Sequence, residues 1–230
     1  MGICLNYQKL REEIRLAAEL AGRNPEEIKL IAVSKTKPLS MVEEAAECGV
    51  TDFGENRPQE LAEKFGHYPN LNWHQIGQLQ KNKVKYIIDK AMLIHSVDTL
   101  SLAEEIEKRA AAIDKVQDIL VQVNISGEES KSGVSPKEAP ELCKAISNLP
   151  HVRIQGLMTI SVLGMSEEEN FEIFSRLKTL ADQIDALELH GVSMKELSMG
   201  MTHDYIPAIK AGATMIRVGT GIFGARDSMV

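Results

Sequence analysis

The sequence predicts a single (β/α)8 TIM barrel, an α/β fold, preceded by an N-terminal helix. Eight short apolar runs alternate with amphipathic stretches, a pattern typical of parallel strands covered by helices. The length of 230 residues suits one barrel, and no Pro/Gly/Ser-rich linker divides the chain. We therefore expect one domain over residues 1–230. The alternative is an open doubly wound sheet, but no GxGxxG motif follows the first apolar run to support it.

The individual elements follow from the spacing of apolar residues. The opening helix is predicted over Tyr7–Leu20, where Leu10 and Ile14 recur at helical spacing. The predicted strands are Lys29–Ser34, Asp52–Gly54, Trp73–Ile76, Met92–Ser96, Asp118–Asn124, Arg153–Thr159, Glu196–Met199 and Thr214–Val218. The predicted later helices are Ser40–Gly49, Pro58–Phe65, Leu79–Asp89, Leu100–Ala112, Pro136–Ser147, Glu167–Leu187 and His203–Ala211. Thr99 and Ser166 directly precede two of these helices and suit helix starts.

The balance of charged residues argues against two classes of partner. Lysine and arginine number 26 and aspartate and glutamate 33, which gives a net charge of −7. A negatively charged chain is not attracted electrostatically to nucleic acid or to an anionic membrane surface. No stretch approaches the roughly 20 apolar residues that span a bilayer, and the start of the chain lacks the continuous apolar run of a signal peptide. We expect neither nucleic acid nor a membrane as a partner.

The three cysteines indicate a reducing compartment. Cys4, Cys48 and Cys143 are widely spaced and odd in number, and they form no CxxC motif and no pattern typical of zinc ligands. Together with the absence of a signal-like start, this predicts reduced thiols and a cytoplasmic protein.

The first candidate functional residue is Lys35, which follows the apolar run Ile31–Val33. In a barrel of this kind the functional face lies at the carboxyl ends of the strands. Partial burial there favours the neutral, nucleophilic form of the amine, which can form an imine with an aldehyde, and Lys37 would act in the same direction. The alternative is a lysine that simply reaches water from a strand end.

Two turns rich in small residues follow the seventh and eighth predicted strands. Gly219-Thr220-Gly221 offers close backbone approach, N–H donors and a hydroxyl, and Ser198-Met199-Gly200 is a second such turn. Loops at these two places in a barrel often bind phosphate. Either turn alone could be an ordinary tight loop that needs glycine, but their joint placement predicts a phosphate site. An aldehyde that carries a phosphate is pyridoxal 5′-phosphate (PLP).

Further side chains are predicted to face the same site. Arg217 lies two residues before Gly219 on one strand and so points to the same side. A guanidinium beside the pyridine nitrogen of PLP would keep that nitrogen unprotonated and weaken the ring as an electron sink. A buried ion pair is the alternative for Arg217. Asn56 could bond the ring hydroxyl and Met158 and Met199 could pack against the ring, although turn formation and core filling are ordinary roles for these residues.

Two histidines and a second lysine complete the candidates. His74 and His95 fall within predicted strands, and without a matching set of metal ligands we interpret both as core or structural residues. Lys131 lies in a Ser/Gly-flanked loop after the fifth strand, where a flexible amine could receive an aldehyde passed on from Lys35. A plain surface loop is the alternative for Lys131.

Several separated segments, in this order, carry a resemblance to a known family. They are Ile31–Thr36, Phe53–Asn56, Trp73–Gly77, Gly156–Thr159, Leu197–Met201 and Arg217–Gly224. On these segments the chain closely resembles the PLP homeostasis proteins, also called the proline synthase co-transcribed or YggS-like family. Gln78 and Thr202 depart from the family, which commonly has histidine and serine there.

The resemblance implies a barrel like the N-terminal domain of bacterial alanine racemase and a site for PLP. It implies that Lys35 bears the PLP imine and that Arg217 faces the pyridine nitrogen. The residues it implies for the phosphate region are Ser198, Gly200, Gly219 and Thr220.

The implied function is to keep PLP available yet controlled, without firmly established catalytic turnover. The alternative is a racemase, which needs two acid/base groups on opposite faces of the substrate carbon. In racemase relatives the opposing tyrosine comes from a second domain of the partner subunit, whereas this chain ends at Val230, just past the predicted barrel. Of its four tyrosines, only Tyr205 lies near the predicted functional face. A module for another phosphorylated metabolite is a third possibility.

We therefore expect a PLP-binding protein without catalytic turnover, with PLP-accepting apo-enzymes as partners. The alanine racemase dimer depends on that second domain, so we expect a monomer.

Overall fold

A computed structural model describes residues 2–128, 131–162 and 164–224 and confirms the predicted barrel. All eight strands are parallel and each pairs with its neighbour in sequence. The ring closes where the first strand pairs with the last, with Ile31 opposite Arg217. The strands are β1 (Lys29–Val33), β2 (Asp52–Glu55), β3 (Asn72–Gln75), β4 (Leu93–Val97), β5 (Gln117–Gln122), β6 (Val152–Met158), β7 (Val192–Ser198) and β8 (Met215–Val218).

Helices surround the sheet. They are α1 (Ile3–Leu20), α2 (Leu39–Glu47), α3 (Pro58–His67), α4 (Leu100–Ala111), α5 (Ala139–Ile146), α6 (Glu167–Asp185), α7 (Tyr205–Lys210) and α8 (Thr220–Phe223). The predicted starts at Thr99 and Ser166 are confirmed: the Thr99 hydroxyl accepts from the Leu102 amide, and Ser166 forms a capping box with Glu169. Within the described ranges, no helix has the length and apolar character needed to cross a bilayer.

The alternation of side chains along the strands separates two apolar layers. Ile31 of β1 joins a small cluster inside the barrel, whose other members are Leu93, Leu120, Met158 and Met215. Its neighbour Ala32 belongs to the larger cluster between the sheet and the helices. Because successive strand residues point to opposite faces, every second residue near a strand end is aimed at the centre of the barrel mouth.

One predicted helix is wrong in type. Between β3 and β4 the chain forms a short 3-10 helix, Lys81–Tyr86, in place of an α-helix over Leu79–Asp89. Only Val84 of this turn is buried, and its lysines provide no apolar stripe to pack along the sheet. Without such a stripe, tertiary packing does not stabilise a longer helix.

The expectation of reduced cysteines is wrong for two of them. Cys4 in α1 and Cys48 after α2 form a disulfide, with Cα atoms 5.3 Å apart. The two helices lie side by side, and the Ile3 amide also donates to the Glu44 carboxylate at 3.2 Å. A spacing of 44 residues cannot reveal this contact, because it depends on how helices pack around the ring. Cys143 keeps a buried thiol, whose pKa burial raises to about 12.

Replacement of Cys4 by serine is expected to lower the free energy of unfolding by about 2–4 kcal/mol, because the disulfide restricts the unfolded chain. Urea denaturation of the oxidised protein measures this loss. Cys48→Ser should give the same loss, and wild-type protein treated with a thiol reductant should match both variants. Equal stability of the oxidised wild type and Cys4→Ser would contradict the prediction.

Candidate functional site

A cavity of about 790 Å³ lies at the carboxyl ends of the strands. The structure brings five of the nine predicted site residues to its wall, namely Lys35, Asn56, Arg217, Gly219 and Thr220. Each follows or ends a strand, and the inward alternation of β1 and β8 places Lys35 and Arg217 on the same side as Ile31. An amine, a guanidinium and a glycine-containing turn therefore share one enclosure.

The other four predicted residues lie outside the cavity wall. Met158 is buried inside the barrel, and Ser198 is buried beside Arg217. Met199 lies in the layer between the sheet and the helices, so the structure does not place it against a ring. The reason is the alternation at the end of β7, where Ser198 points inward and the next residue outward. Gly200 has a φ of 93°, and a Cβ there would lie 2.6 Å from the Ala208 Cβ, so this position of the loop requires glycine.

The turns after β7 and β8 form one end of the cavity. Thr220 donates its hydroxyl to the Thr202 hydroxyl at 3.3 Å, and both residues line the wall. The one-turn helix α8 begins at Thr220, and the amides of Ile222 and Phe223 bond back to the Gly219 carbonyl. A Cβ on Gly219 would lie 3.2 Å from the Val33 carbonyl, so glycine lets the two strand ends approach closely. Hydroxyls and backbone N–H groups concentrate here, as phosphate binding requires.

Asp204 holds the loop after β7 in place. Its carboxylate accepts from the Met201 amide at 2.5 Å and from the Ser161 hydroxyl. The buried carboxylate thus fixes the backbone that carries Thr202 into the cavity wall.

A buried ionic cluster lies behind Lys35 and was not foreseen from the sequence. Lys64 of α3 donates to the Glu55 carboxylate at 2.7 Å, to the Ser34 carbonyl at 2.7 Å and to the Glu60 carboxylate at 2.8 Å. The Ser34 hydroxyl donates to Glu55 at 2.6 Å, and the Thr36 amide donates to Glu60 at 2.6 Å. The residues on both sides of Lys35 are therefore anchored to β2 and α3.

The charges of this cluster are mutually dependent. Burial raises the pKa of Glu55, against the opposing effect of the Lys64 ammonium. Glu55 and Lys64 are both buried, so water does not hydrate either charged group and each depends on the other as its partner. The sequence signal was faint: Glu60 and Lys64 have ordinary i, i+4 helix spacing, which is also typical of solvated pairs.

Lys37 links the segments that follow the neighbouring strands β1 and β8. Its ammonium donates to the carbonyls of Phe223 and Gly224 at 3.3 and 3.4 Å, at the end of α8. The loop after β1 is thereby tied to the turn after β8.

Arg217 is held rigidly at the base of the cavity. Its guanidinium donates to the Ser198 hydroxyl at 2.5 Å and to the Thr159 carbonyl at 2.9 Å. Burial lowers the pKa of Arg217 to about 10, so it stays charged at neutral pH. The Ser198 hydroxyl also lies 2.8 Å from a ring nitrogen of His95. The two strand histidines interpreted as structural thus lie inside the barrel, in contact with this support.

Lys131 lines the cavity wall, as do Gln78 and Asn124. The Asn124 amide group donates to the carbonyls of Glu128 and Lys131, which shapes this loop. Tyr205 is directed elsewhere: its hydroxyl donates to Glu13 of α1 at 2.7 Å. Among the described residues that line the cavity, none is a tyrosine.

Over residues 2–128, 131–162 and 164–224, no three histidine, cysteine or acidic residues are grouped as metal ligands.

Comparison with known proteins identifies the family of the chain. The family described as alanine racemase, N-terminal domain, matches residues 5–227. The pyridoxal phosphate homeostasis protein of Aquifex aeolicus is 42% identical over 228 residues, covering 98% of this chain and 99% of its own. PipY of Synechococcus elongatus, solved with PLP bound, is 35% identical with a TM-score of 0.81, covering 92% of this chain and all of its own.

A more distant structure shows the fold alone. Alanine racemase of Clostridium difficile is 16% identical with a TM-score of 0.77, covering 99% of this chain but 58% of its own. On the family match and the full-length relatives together, the chain belongs to the alanine racemase N-terminal domain family and, within it, to the pyridoxal phosphate homeostasis proteins.

Proposed function

We propose that this protein binds PLP at Lys35 and controls its availability. The observation that carries the proposal is the presence of Lys35 and the Gly219–Thr220 turn in one cavity of about 790 Å³. PLP is an anion, and the cavity wall also contains the cations of Lys131 and Arg217, so the residues present fit this group. PipY, a relative that was solved with PLP bound, supports PLP as the ligand.

When bound, PLP supplies an aldehyde that condenses reversibly with a primary amine, releasing water. Lys35 provides that amine from a half-buried position between Ser34 and Thr36, whose backbones are held by Lys64 and Glu60. The hydroxyls of Thr202 and Thr220 and the N–H groups of the Gly219–Thr220 turn would hold the phosphate.

Arg217 and Asn56 would hold the ring. Arg217 remains a cation and has only donors, so it cannot take a proton from the pyridine nitrogen or readily supply one to it. It therefore favours storage of the cofactor over carbanion chemistry. Asn56 lies in the wall between β2 and β3, where its amide can meet the ring hydroxyl.

We propose binding without catalytic turnover in preference to racemase activity. Racemisation needs a second acid/base group opposite Lys35. Tyr205, the tyrosine closest to this role in sequence, is bonded to Glu13 on the helical layer. The relatives that share the full length of the chain are named homeostasis proteins.

A titration with PLP tests the binding proposal, and an enantiomer assay tests the choice against catalysis. Purified protein should gain visible absorbance with one PLP per chain. Incubation of the loaded protein with L-alanine should leave its enantiomeric composition unchanged over hours. Sustained turnover that is lost in Lys35→Ala would favour the racemase. A protein that stays colourless with PLP would favour a site for another phosphorylated metabolite.

We further propose that the chain acts as one monomeric domain in the cytoplasm and passes PLP to apo-enzymes. Sedimentation of the loaded protein at several concentrations tests the monomer, and transfer to an apo-enzyme across a dialysis membrane tests whether contact is needed. In a reducing cytoplasm the exposed Cys4 would leave its disulfide open to exchange with thiols. We also propose Lys131, in the cavity wall, as a second amine that receives the aldehyde from Lys35.

A further inference from the structure

A chain of hydrogen bonds crosses the inside of the barrel. Its members, from the cavity to the opposite rim, are Arg217, Ser198, His95, His74 and Asp52. We infer that these hydrogen bonds all run in one direction and that His95 and His74 are positioning residues for Arg217. The inference rests on the proposed function, because Arg217 is taken to face PLP.

Each link has hydrogen-bond length. Arg217 lies 2.5 Å from the Ser198 hydroxyl, which lies 2.8 Å from His95 Nδ1. His95 Nε2 lies 3.0 Å from His74 Nδ1, and His74 Nε2 lies 3.0 Å from the Asp52 carboxylate. Asp52 begins β2 and Ser198 ends β7, so the chain connects the amino ends of the strands with their carboxyl ends.

The Asp52 carboxylate and the neutral state of the two rings fix the direction of the links. Burial lowers the pKa of both histidines, so each ring carries one hydrogen. The Asp52 carboxylate only accepts, so His74 carries its hydrogen on Nε2 and its Nδ1 accepts from His95 Nε2–H. His95 Nδ1 then accepts the Ser198 hydrogen, while the Ser198 oxygen accepts from Arg217, which has only donors. Both neutral imidazoles are therefore Nε2–H tautomers.

The surrounding charges are consistent with neutral rings and an ionised carboxylate. Burial lowers the pKa of both histidines, and the positive charges of Arg217 and Lys29 lower the pKa of His95 further. Asp52 and Glu196 oppose this effect at His74. Although burial opposes it, hydrogen bonds from His74 and Thr51 hold the pKa of Asp52 well below its usual range.

The consequence for the cavity is a fixed guanidinium. Because the Ser198 hydroxyl donates its hydrogen to His95, its oxygen is oriented to accept from Arg217. The Thr159 carbonyl holds the other nitrogen at 2.9 Å. The remaining N–H groups then have one orientation toward the cavity. Asp52, at the far rim and outside the cavity wall, thereby influences the group that faces the ring.

The first test uses the protein without PLP. Long-range ¹H–¹⁵N spectra, with signals assigned through His74→Gln and His95→Gln, should show both rings as neutral Nε2–H tautomers from pH 6 to 8. Ser198→Ala should change the His95 signals, and Asp52→Ala should change the tautomer balance of His74. A charged ring, or an Nδ1–H tautomer at either position in the wild type, would overturn the inference.

The second test uses the PLP-loaded protein and compares two changes at Asp52. Asp52→Ala removes the last acceptor and is expected to shift the pH midpoint of the visible absorbance by about half a unit. Asp52→Asn keeps a carbonyl acceptor for His74 and should restore most of that midpoint. Exposed His190→Gln should match the wild type. Thermal unfolding of each variant verifies folding.

The outcomes separate the two proposals. If the wild type forms no coloured complex with PLP, the proposed function fails. If it does, and Asp52→Ala lowers thermal stability while leaving the midpoint unchanged, the chain of hydrogen bonds has a structural role only and this inference is wrong. Ser198→Ala gives a second check: its PLP affinity should fall about tenfold, whereas unaltered affinity would contradict positioning of Arg217.

Discussion

Lys35→Ala is expected to abolish the visible absorbance of the PLP complex and to weaken PLP binding by about 100-fold, or about 3 kcal/mol. The variant retains the Gly219–Thr220 turn and Arg217, so phosphate and ring contacts remain while the covalent linkage is lost. Fluorescence titration at fixed ionic strength measures the affinity, and absorbance spectra measure the linkage.

The matched control is Lys108→Ala, which removes an exposed lysine on α4. This variant should bind PLP and develop colour like the wild type. Visible absorbance of normal intensity in Lys35→Ala would mean that another amine carries the cofactor. Lys131, the other lysine of the described cavity wall, would then be the first lysine to replace.

Lys64→Met is expected to lower the free energy of unfolding by about 3–5 kcal/mol. Methionine has a similar volume, but it leaves the buried Glu55 carboxylate without its cation and the Ser34 carbonyl without its donor. Urea denaturation at pH 7 measures the loss. Lys108→Met, on the surface, should change stability by less than about 0.5 kcal/mol.

A second substitution separates lost charge from lost packing. Glu55→Gln in the Lys64→Met background removes the uncompensated charge and should recover part of the stability. No recovery would show that the ionic contact is not the source of the loss. Because Ser34 and Thr36 flank Lys35, the single variant should also bind PLP more weakly than the wild type at a temperature where it is folded.

Low pH should narrow the stability gap between Lys64→Met and the wild type. Burial raises the pKa of Glu55 in the folded protein. The stability that comes from this shift is therefore fully present below the pKa of an unfolded glutamate, where Glu55 is protonated. It is lost as the pH rises through the pKa of Glu55 in the folded protein. Without Lys64 the folded pKa rises further, which favours the protonated folded state. Urea denaturation at pH 5 and pH 7 should therefore show a smaller gap at pH 5.

The barrel and the cavity face were predictable because both depend on local patterns. The apolar run Ile31–Val33 specifies a buried strand, and the position of Lys35 two residues after it specifies the functional face. The same alternation aims Arg217 of β8 at the cavity, and Gly219, two residues later and just past the strand, lines the same cavity. These inferences required only period-two patterning and the rule that parallel strands end at one edge.

The parts that escaped prediction depend on contacts between segments distant in sequence. His74 and His95 were recognised as strand residues, but their contact follows from the register of β3 and β4, in which His74 is opposite Leu93. Cys4 and Cys48 meet because α1 packs beside α2. Lys64 reaches Ser34 only because α3 returns over β1 and β2. None of these distances is encoded by local spacing.

Borohydride reduction of the PLP complex, followed by peptide mass mapping, tests the central claim most directly. Reduction fixes the cofactor to whichever amine carries it, so the modified residue can be read from the peptide masses. We predict one modified lysine per chain, at Lys35. Modification chiefly at Lys37, Lys131 or scattered surface lysines would contradict the proposed function.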